Sequence, residues 1–472
     1  MFKSIVVALI VVATFANRES LRAATADSIA FSQGKYVVAK RSDAGGWIYH
    51  CADTASQTYF EVVQTGATLK KFVAFVHGIQ YSVINESNGM FKMMPWPNRT
   101  AGGKFTDANG VVQNLLATPL MTMSDGLGNA IHGMVSGRQW QVDSVGADSE
   151  GVFLRCFFDT QGWPVISGIF GEFRDYTVYH LSKNTLVIDA YAHNNSNNVF
   201  TDCGWGFHPY INAPLIPLEG AQKGTNDRCS LLMPADSIAL VNTAKIPTGQ
   251  VQSVASYQSG YFNFNGLKKL STVTVDNFFT GLTPLADIPF TRSLVIDYGN
   301  QVRLQVFGQY PFYPWMVIYT PSNMVCVEHQ TEEVNGLNTK QRLISIPAHG
   351  QSARGRTYFV ADEDTTTAYN PTAALQRNAI SATPAIPGEN RVFFSGGTVR
   401  VEVGNSVQAV SCAVYALDGR LVAILMRQLP RSNTHSISWD RRDFARSCVA
   451  RGAYVAVVKA EQALAQGVVI VP

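Results

Sequence analysis

Tyr310-Pro-Phe-Tyr-Pro-Trp-Met-Val-Ile-Tyr-Thr-Pro-Ser-Asn-Met-Val-Cys-Val-Glu-His-Gln-Thr331 is the stretch on which the reading of this chain turns. It holds two short apolar runs, Trp315 to Tyr319 and Met324 to Val327, on either side of a Thr-Pro-Ser-Asn turn. Their length, β-branched content and Pro/Asn punctuation predict two strands paired through a tight turn. Directly after the second run comes Glu328, in a polar cluster with His329 and Gln330. A carboxylate delivered there by a buried strand loses part of its hydration, which raises its pKa and suits it to act as a base. Taken alone, a Glu at a strand end is more often simply solvated or paired. Its weight depends on the partners the rest of the chain supplies.

Outward from this stretch, residues 36–360 read as strand after strand. Tyr176 to Leu181 and Thr185 to Ala192 flank Ser182-Lys183-Asn184, and Leu294 to Asp297 and Val302 to Val306 flank Tyr298-Gly299-Asn300. Both have the pattern of hairpins. Thr58 to Val63 and Phe72 to Ile84 read likewise. Helical periodicity over three turns is scarce, so the expectation is an all-β region of stacked sheets.

Toward the N-terminus, Lys3 precedes an apolar run from Ile5 to Ala16, with Ala23 and Ala24 nearby. One positive charge, a run of this length and small residues predict a secretory signal peptide over residues 1–24. The run is shorter than the roughly 20 apolar residues a bilayer demands. The expected mature chain is therefore exported and soluble: periplasmic, cell-surface or extracellular. Toward the C-terminus, small residues and prolines between Asp364 and Asn390 predict a linker over residues 366–390. Beyond it, residues 391–472 carry six or seven short strands, among them Cys412 to Tyr415, Leu421 to Ile424 and Ala453 to Val458. That density fits a small immunoglobulin-like β-sandwich. Cys412 and Cys448 are its only cysteines and are candidates for a bridge.

The 472 residues carry a formal charge of +3 with basic residues scattered, which excludes a nucleic-acid stripe. Seven cysteines, at 51, 156, 203, 229, 326, 412 and 448, follow no metal-ligand spacing, and their odd number leaves at least one without an intrachain partner.

Several polar motifs stand out upstream of Glu328. Asn98-Arg99-Thr-Ala-Gly-Gly-Lys-Phe105 places a guanidinium in a glycine-bearing loop, where its fork of donors suits vicinal hydroxyls or a carboxylate. Ile131-His132-Gly133, with Trp140 after it, and His208-Pro-Tyr-Ile-Asn212 each present a histidine. Asp276-Asn-Phe-Phe-Thr-Gly-Leu282 places a carboxylate beside aromatics. Each residue alone has an ordinary structural use. Two His, a Glu and an Asp could also hold a metal, but no local pair has zinc-ligand spacing.

Side by side, these motifs resemble the aldose 1-epimerases, or galactose mutarotases. The Asn98–Phe105 loop is similar to that family's Asn-Arg-Ile-Ala-x-Gly-x-Phe, and Ile131-His132-Gly133 with Trp140 to its Leu-His-Gly and Trp. His208 to Asn212 resembles its His-x-Tyr-Phe-Asn, Asp276 to Phe279 its Asp-Asp-x-Phe, and Tyr319-Thr-Pro with Glu328-His-Gln330 its Tyr-Thr-Pro and Glu-x-Gln. All five occur in family order. Met134, where a second Gly is common, and Ile211, in place of Phe, depart from the pattern.

The resemblance implies a β-supersandwich over residues 28–365 and a small-molecule aldose as substrate, with no cofactor or metal. It implies Glu328 as general base toward the anomeric hydroxyl and His208 as general acid toward the ring oxygen. His132, Arg99, Asp276, Gln330 and Asn98 would bind the sugar, and Trp205, Phe207 and Trp315 could stack on it or belong to the core. The tail resembles immunoglobulin-like modules that end many secreted bacterial proteins, which implies contact with a cell surface or the secretion machinery. Two other readings stand beside this one: a non-catalytic carbohydrate-binding surface protein on the same fold, and a sugar-phosphate epimerase, for which Arg138 would be a phosphate partner.

Overall fold

The computed structural model describes residues 28–364, apart from 44, 118–122, 149–150, 221–223 and 286–287, together with seven strands between Arg391 and Val471. The expected signal peptide and linker lie outside the described residues. So does Cys448, and with it the Cys412–Cys448 bridge.

Two large antiparallel sheets dominate, one of fourteen strands and one of nine. They pack face to face through a continuous apolar core to which Phe60, Phe72 and Ile318 of the first sheet and Leu154, Ile188 and Phe359 of the second contribute. Alternation along each strand decides which side chains enter that core.

The expected hairpins form. Phe173–Ser182 pairs with Thr185–Asn194 through a two-residue turn, with Ser182 opposite Thr185. The turn residue Asn184 reaches the other sheet, accepting from the Phe75 amide at 2.8 Å and donating to its carbonyl at 2.8 Å. Phe290–Asp297 pairs antiparallel with Val302–Gln309 across a four-residue turn, with Asp297 opposite Val302. Residues 72–84 hold a hairpin of their own: Thr68–Val76 turns at His77 and Gly78, both at positive φ, into Ile79–Ile84. Two adjacent left-handed residues give the turn a twist that matches its flanking strands.

The pair read from the opening stretch is Trp315–Tyr319 with Met324–Gln330, in register Trp315 to Gln330 and Tyr319 to Cys326. The second strand runs three residues further than its apolar pattern, so Glu328 lies within it and not after it. Polar side chains ended the hydrophobic signal while the backbone ladder continued.

The tail strands form two antiparallel sheets, Arg391–Ser395, Thr398–Glu402 and Thr434–Ser438 in one, and Leu421–Met426, Val410–Ala416, Gly452–Ala460 and Ala463–Val471 in the other. Among the described residues no helix is long and apolar enough to cross a membrane.

Candidate active site

Met324–Gln330 lies inside the fourteen-stranded sheet, so its two faces meet different surroundings. Cys326, Glu328 and Gln330 share one face. Residues directly opposite in the ladder share it too, which adds Tyr319 and Val317 from the neighbouring strand and Asp276 and Phe278 from the strand Asp276–Leu282. His329 points the other way. Its Nε2 meets Thr291 Oγ1 at 3.3 Å on the nine-stranded sheet, and its ring lies so close to Gly308 that a Cβ there would come within 2.0 Å. The polar cluster read from Glu328-His329-Gln330 is thus divided by the sheet, and His329 belongs to the core.

His208 reaches the Glu328 face from Gly206–Pro209, which pairs with Met90–Met93 so that His208 stands opposite Phe91. Alternation again sorts the neighbours. Phe91 and His208 face the site, while Lys92 and Phe207 face the other sheet, where Lys92 forms a buried ion pair with Asp175. The His208 ring is stacked between Phe91, at 5.0 Å, and Tyr210, at 4.5 Å, with Tyr319 edge-on at 6.4 Å. Held this way, its Nε2 stands 3.4 Å from Glu328 Oε1. Gln330 Nε2 donates to Glu328 Oε2 at 3.3 Å and fixes the carboxylate plane.

Two loop segments close the face. The short strands Arg99–Thr100 and Ala130–Ile131 pair, and just outside them Asn98 and His132 both adopt positive φ, with the His132 amide donating to the Asn98 carbonyl at 2.8 Å. Left-handed backbone turns each side chain inward at a conformational cost. His132 stands edge-on to His208 with ring centroids 5.0 Å apart. Gly133 follows because nothing larger fits: φ is +66° and a Cβ would lie 2.2 Å from the Met94 carbonyl oxygen.

Arg99 extends along the mouth. Its Nε donates to Asp125 at 2.9 Å and its Nη1 to Asn98 Oδ1 at 3.1 Å, while Nη2 is 3.7 Å from Asp276. Lys245 Nζ lies 3.5 Å from the same Asp276 carboxylate. The structure therefore brings together all seven site residues read from the sequence: Glu328, His208, His132, Arg99, Asp276, Gln330 and Asn98. Of the three aromatics considered for stacking it separates two, Trp205 and Phe207, which are buried between the sheets, whereas Trp315, opposite Gln330, lies on the site face stacked on Phe278 at 4.7 Å. Phe91, Tyr210 and Tyr319 stand in their place around His208. Asp125 and Lys245 are further neighbours without a local sequence signal, and Cys326 is a neighbour on the same face as Glu328. Arg138 lies in an adjoining cavity of about 630 Å³ lined also by Trp47, Lys70 and Phe91, and its guanidinium sits 4.3 Å over the Trp163 ring.

Burial sets the electrostatics. It pushes the Glu328 carboxyl well above the usual carboxylate range, helped by the charge on Asp276 and opposed by the Gln330 hydrogen bond and Arg99. It pushes His208 down to about 3. His132 is held well below the usual imidazole range by burial first, then by His208 and Arg99. The 3.4 Å contact between Glu328 and His208 acts against burial on both partners, since an ion pair there would be mutually favourable. Three polar atoms in this space, His132 Nδ1, His208 Nδ1 and Gln330 Oε1, are buried with no protein partner. Buried polar atoms left unpaired in this way are rare in folded proteins.

The family model described as aldose 1-epimerase matches residues 27–353. Uncharacterized protein YihR of Escherichia coli K12 is 26% identical over 221 residues, 46% of this chain; the match spans 63% of that relative, under two thirds of its length. A galactose mutarotase-like protein of Clostridium acetobutylicum superposes with a TM-score of 0.58 at 17% identity, covering 70% of this chain and 99% of its own. The galactose 1-epimerase of Lactobacillus acidophilus NCFM superposes with a TM-score of 0.51 at 16% identity, covering 71% of this chain and 98% of its own. At such identities these structures share the fold.

Proposed function

Because the chain belongs to the aldose 1-epimerase family, we propose that it is an exported enzyme that interconverts the α and β anomers of a free aldose. The observation that carries this reading is the buried Glu328–His208 contact, roofed by His132 and bordered by Arg99 and Asp276. Glu328 takes the proton from the anomeric hydroxyl while His208 delivers one to the ring oxygen, and the C1–O5 bond breaks to give the aldehyde. Rotation about C1–C2 and reclosure with the same two groups in reverse give the other anomer. A positioned acid or base of this kind typically contributes about 10² to 10⁴-fold.

Burial has a specific use in this scheme. The cyclic sugar requires Glu328 as carboxylate with His208 protonated; the open-chain aldehyde leaves both neutral. A dry environment that disfavours both charges therefore stabilises the protonation state belonging to the open-chain intermediate, which is otherwise the minor species. His132, neutral for the same reason, donates or accepts a hydrogen bond at the ring without competing for the transferred proton. Arg99, Asp276, Asn98 and Gln330 provide the hydroxyl contacts. We assign the tail strands to an immunoglobulin-like module that serves attachment or export and not chemistry.

Polarimetry of freshly dissolved α-galactose and α-glucose with the purified full chain tests the proposal. Catalytic amounts of protein should bring both to equilibrium rotation well ahead of the buffer blank. A rate equal to the blank with either sugar and with pentoses would leave the binding-protein reading in its place.

A further inference from the structure

Cys326 lies two residues before Glu328 and so on the same face of its strand, opposite Tyr319. Its thiol has no place in the sugar chemistry above, yet Cys326 Sγ, a His208 ring nitrogen and a Glu328 carboxylate oxygen all lie within 4.8 Å of one another, each on a buried residue. Nitrogen, sulfur and oxygen at the corners of a triangle make the mixed donor set that zinc-like ions select. Metal–ligand bonds of about 2.0 to 2.3 Å at tetrahedral angles place donor atoms about 3.3 to 3.8 Å apart. The histidine and carboxylate, at 3.4 Å, already meet that spacing. Binding would draw the remaining separations, at most 4.8 Å, in toward that spacing.

We propose that His208, Cys326 and Glu328 form a binding site for a thiophilic divalent cation of the zinc or cadmium type, and that its occupation silences the enzyme. The cation takes the lone pairs of His208 Nε2, the Cys326 thiolate and the Glu328 carboxylate. Two protons leave to water, the thiol's and the one held by the Glu328–His208 pair, so the two anionic ligands balance the ion's charge. The same coordination removes the base and the acid from sugar chemistry at once. The binding site stands on the geometry alone; only the inhibition rests on the proposed epimerase reading.

Cadmium is the probe, because thiolate ligation adds a charge-transfer band in the ultraviolet. Full-length protein freed of metal by chelator should develop this band saturably at one ion per chain. Cys326→Ser should lose it, and His208→Gln should weaken binding at least tenfold while keeping the thiol. In polarimetric assays zinc should inhibit the wild type competitively with sugar and reversibly with chelator. Cys326→Ser should keep wild-type turnover and need at least tenfold more zinc for the same inhibition. Should the serine variant fail to fold, Cys326→Ala and the His208→Gln titration serve instead. An unchanged band in both Cys326 and His208 variants, or no saturable binding in the wild type, overturns the site. A band that behaves as expected in a protein without mutarotation upholds the site and refutes the activity.

Discussion

A carboxyl and an imidazole 3.4 Å apart, both nearly out of reach of water, titrate as one unit. Their shared proton is the quantity that mutations at this site should perturb. Glu328→Gln keeps the shape and the Gln330 neighbourhood but cannot accept a proton. It should lower the polarimetric rate by at least about 10²-fold while leaving thermal unfolding within a few degrees of wild type. If the variant equilibrates α-galactose at the wild-type rate, the base lies elsewhere. His208→Ala should lower kcat more than it raises KM, because its proton is wanted chiefly in the transition state. A raised KM at constant kcat would instead make His208 a binding residue and turn attention to His132. The surroundings of the pair show what a sequence does and does not make legible at this scale. Asn98, Arg99, His132, His208 and Asp276 were readable because each sits in a short motif with fixed local geometry. Asp125 and Lys245, which hold Arg99 and Asp276, come from separate loops and have no such signal. Tyr210 and Cys326 could have been found from period-two spacing, each standing two residues from a catalytic candidate on a strand.

Strand alternation explains why neighbouring residues have unrelated roles, and it yields predictions of its own. The strands were legible from Pro, Asn and Gly punctuation around β-branched runs. Where polar residues carried the ladder onward, as at Glu328 to Gln330, the apolar pattern stopped short of the true strand end. His329, between two site residues, faces the second sheet and is pushed down to about 3 by burial. Its folded pKa lies below the roughly 6.5 of an unfolded chain, so its contribution to stability is present above about 6.5 and is lost as pH falls toward 3. His329→Gln should flatten the decline in unfolding free energy between pH 6 and pH 4, seen in urea titrations, without altering turnover at neutral pH. An unchanged slope would mean that His329 stays solvated or charged in the fold. At the loop that seats His132, Gly133→Ala meets both a left-handed φ of +66° and the Met94 carbonyl at 2.2 Å. It should cost at least about 1 to 3 kcal/mol in stability and raise KM through displacement of His132, measured by thermal unfolding and initial rates.

At the scale of the whole molecule, the question is where the catalytic unit ends, and the sheet topology gives a sharper answer than composition does. Prolines and small residues make residues 366–390 the expected linker, but they do not say how close to it the core extends. The last strand before it, Gly355–Glu363, lies inside the nine-stranded sheet, between Thr185–Asn194 and Val302–Gln309, so removing any of it would open the middle of a sheet. Asp364 is still buried, and its amide donates to the Gln301 carbonyl at 2.9 Å. The cut that preserves the unit therefore falls just past Asp364. All seven site residues precede it, as do the strands that carry them and the core beneath. A chain ending at residue 365 should fold, keep its thermal transition within a few degrees and turn over α-galactose at the full-length rate. A chain ending at residue 354 should fail to fold, because two central strands would lose their shared partner and their buried amides would go unpaired. The comparison is made on the rate constants and melting curves of the three proteins. If the 365-residue chain aggregates or loses most of its turnover, the tail packs against the sandwich or completes its site, and the division of the chain into a catalytic unit and an independent module fails.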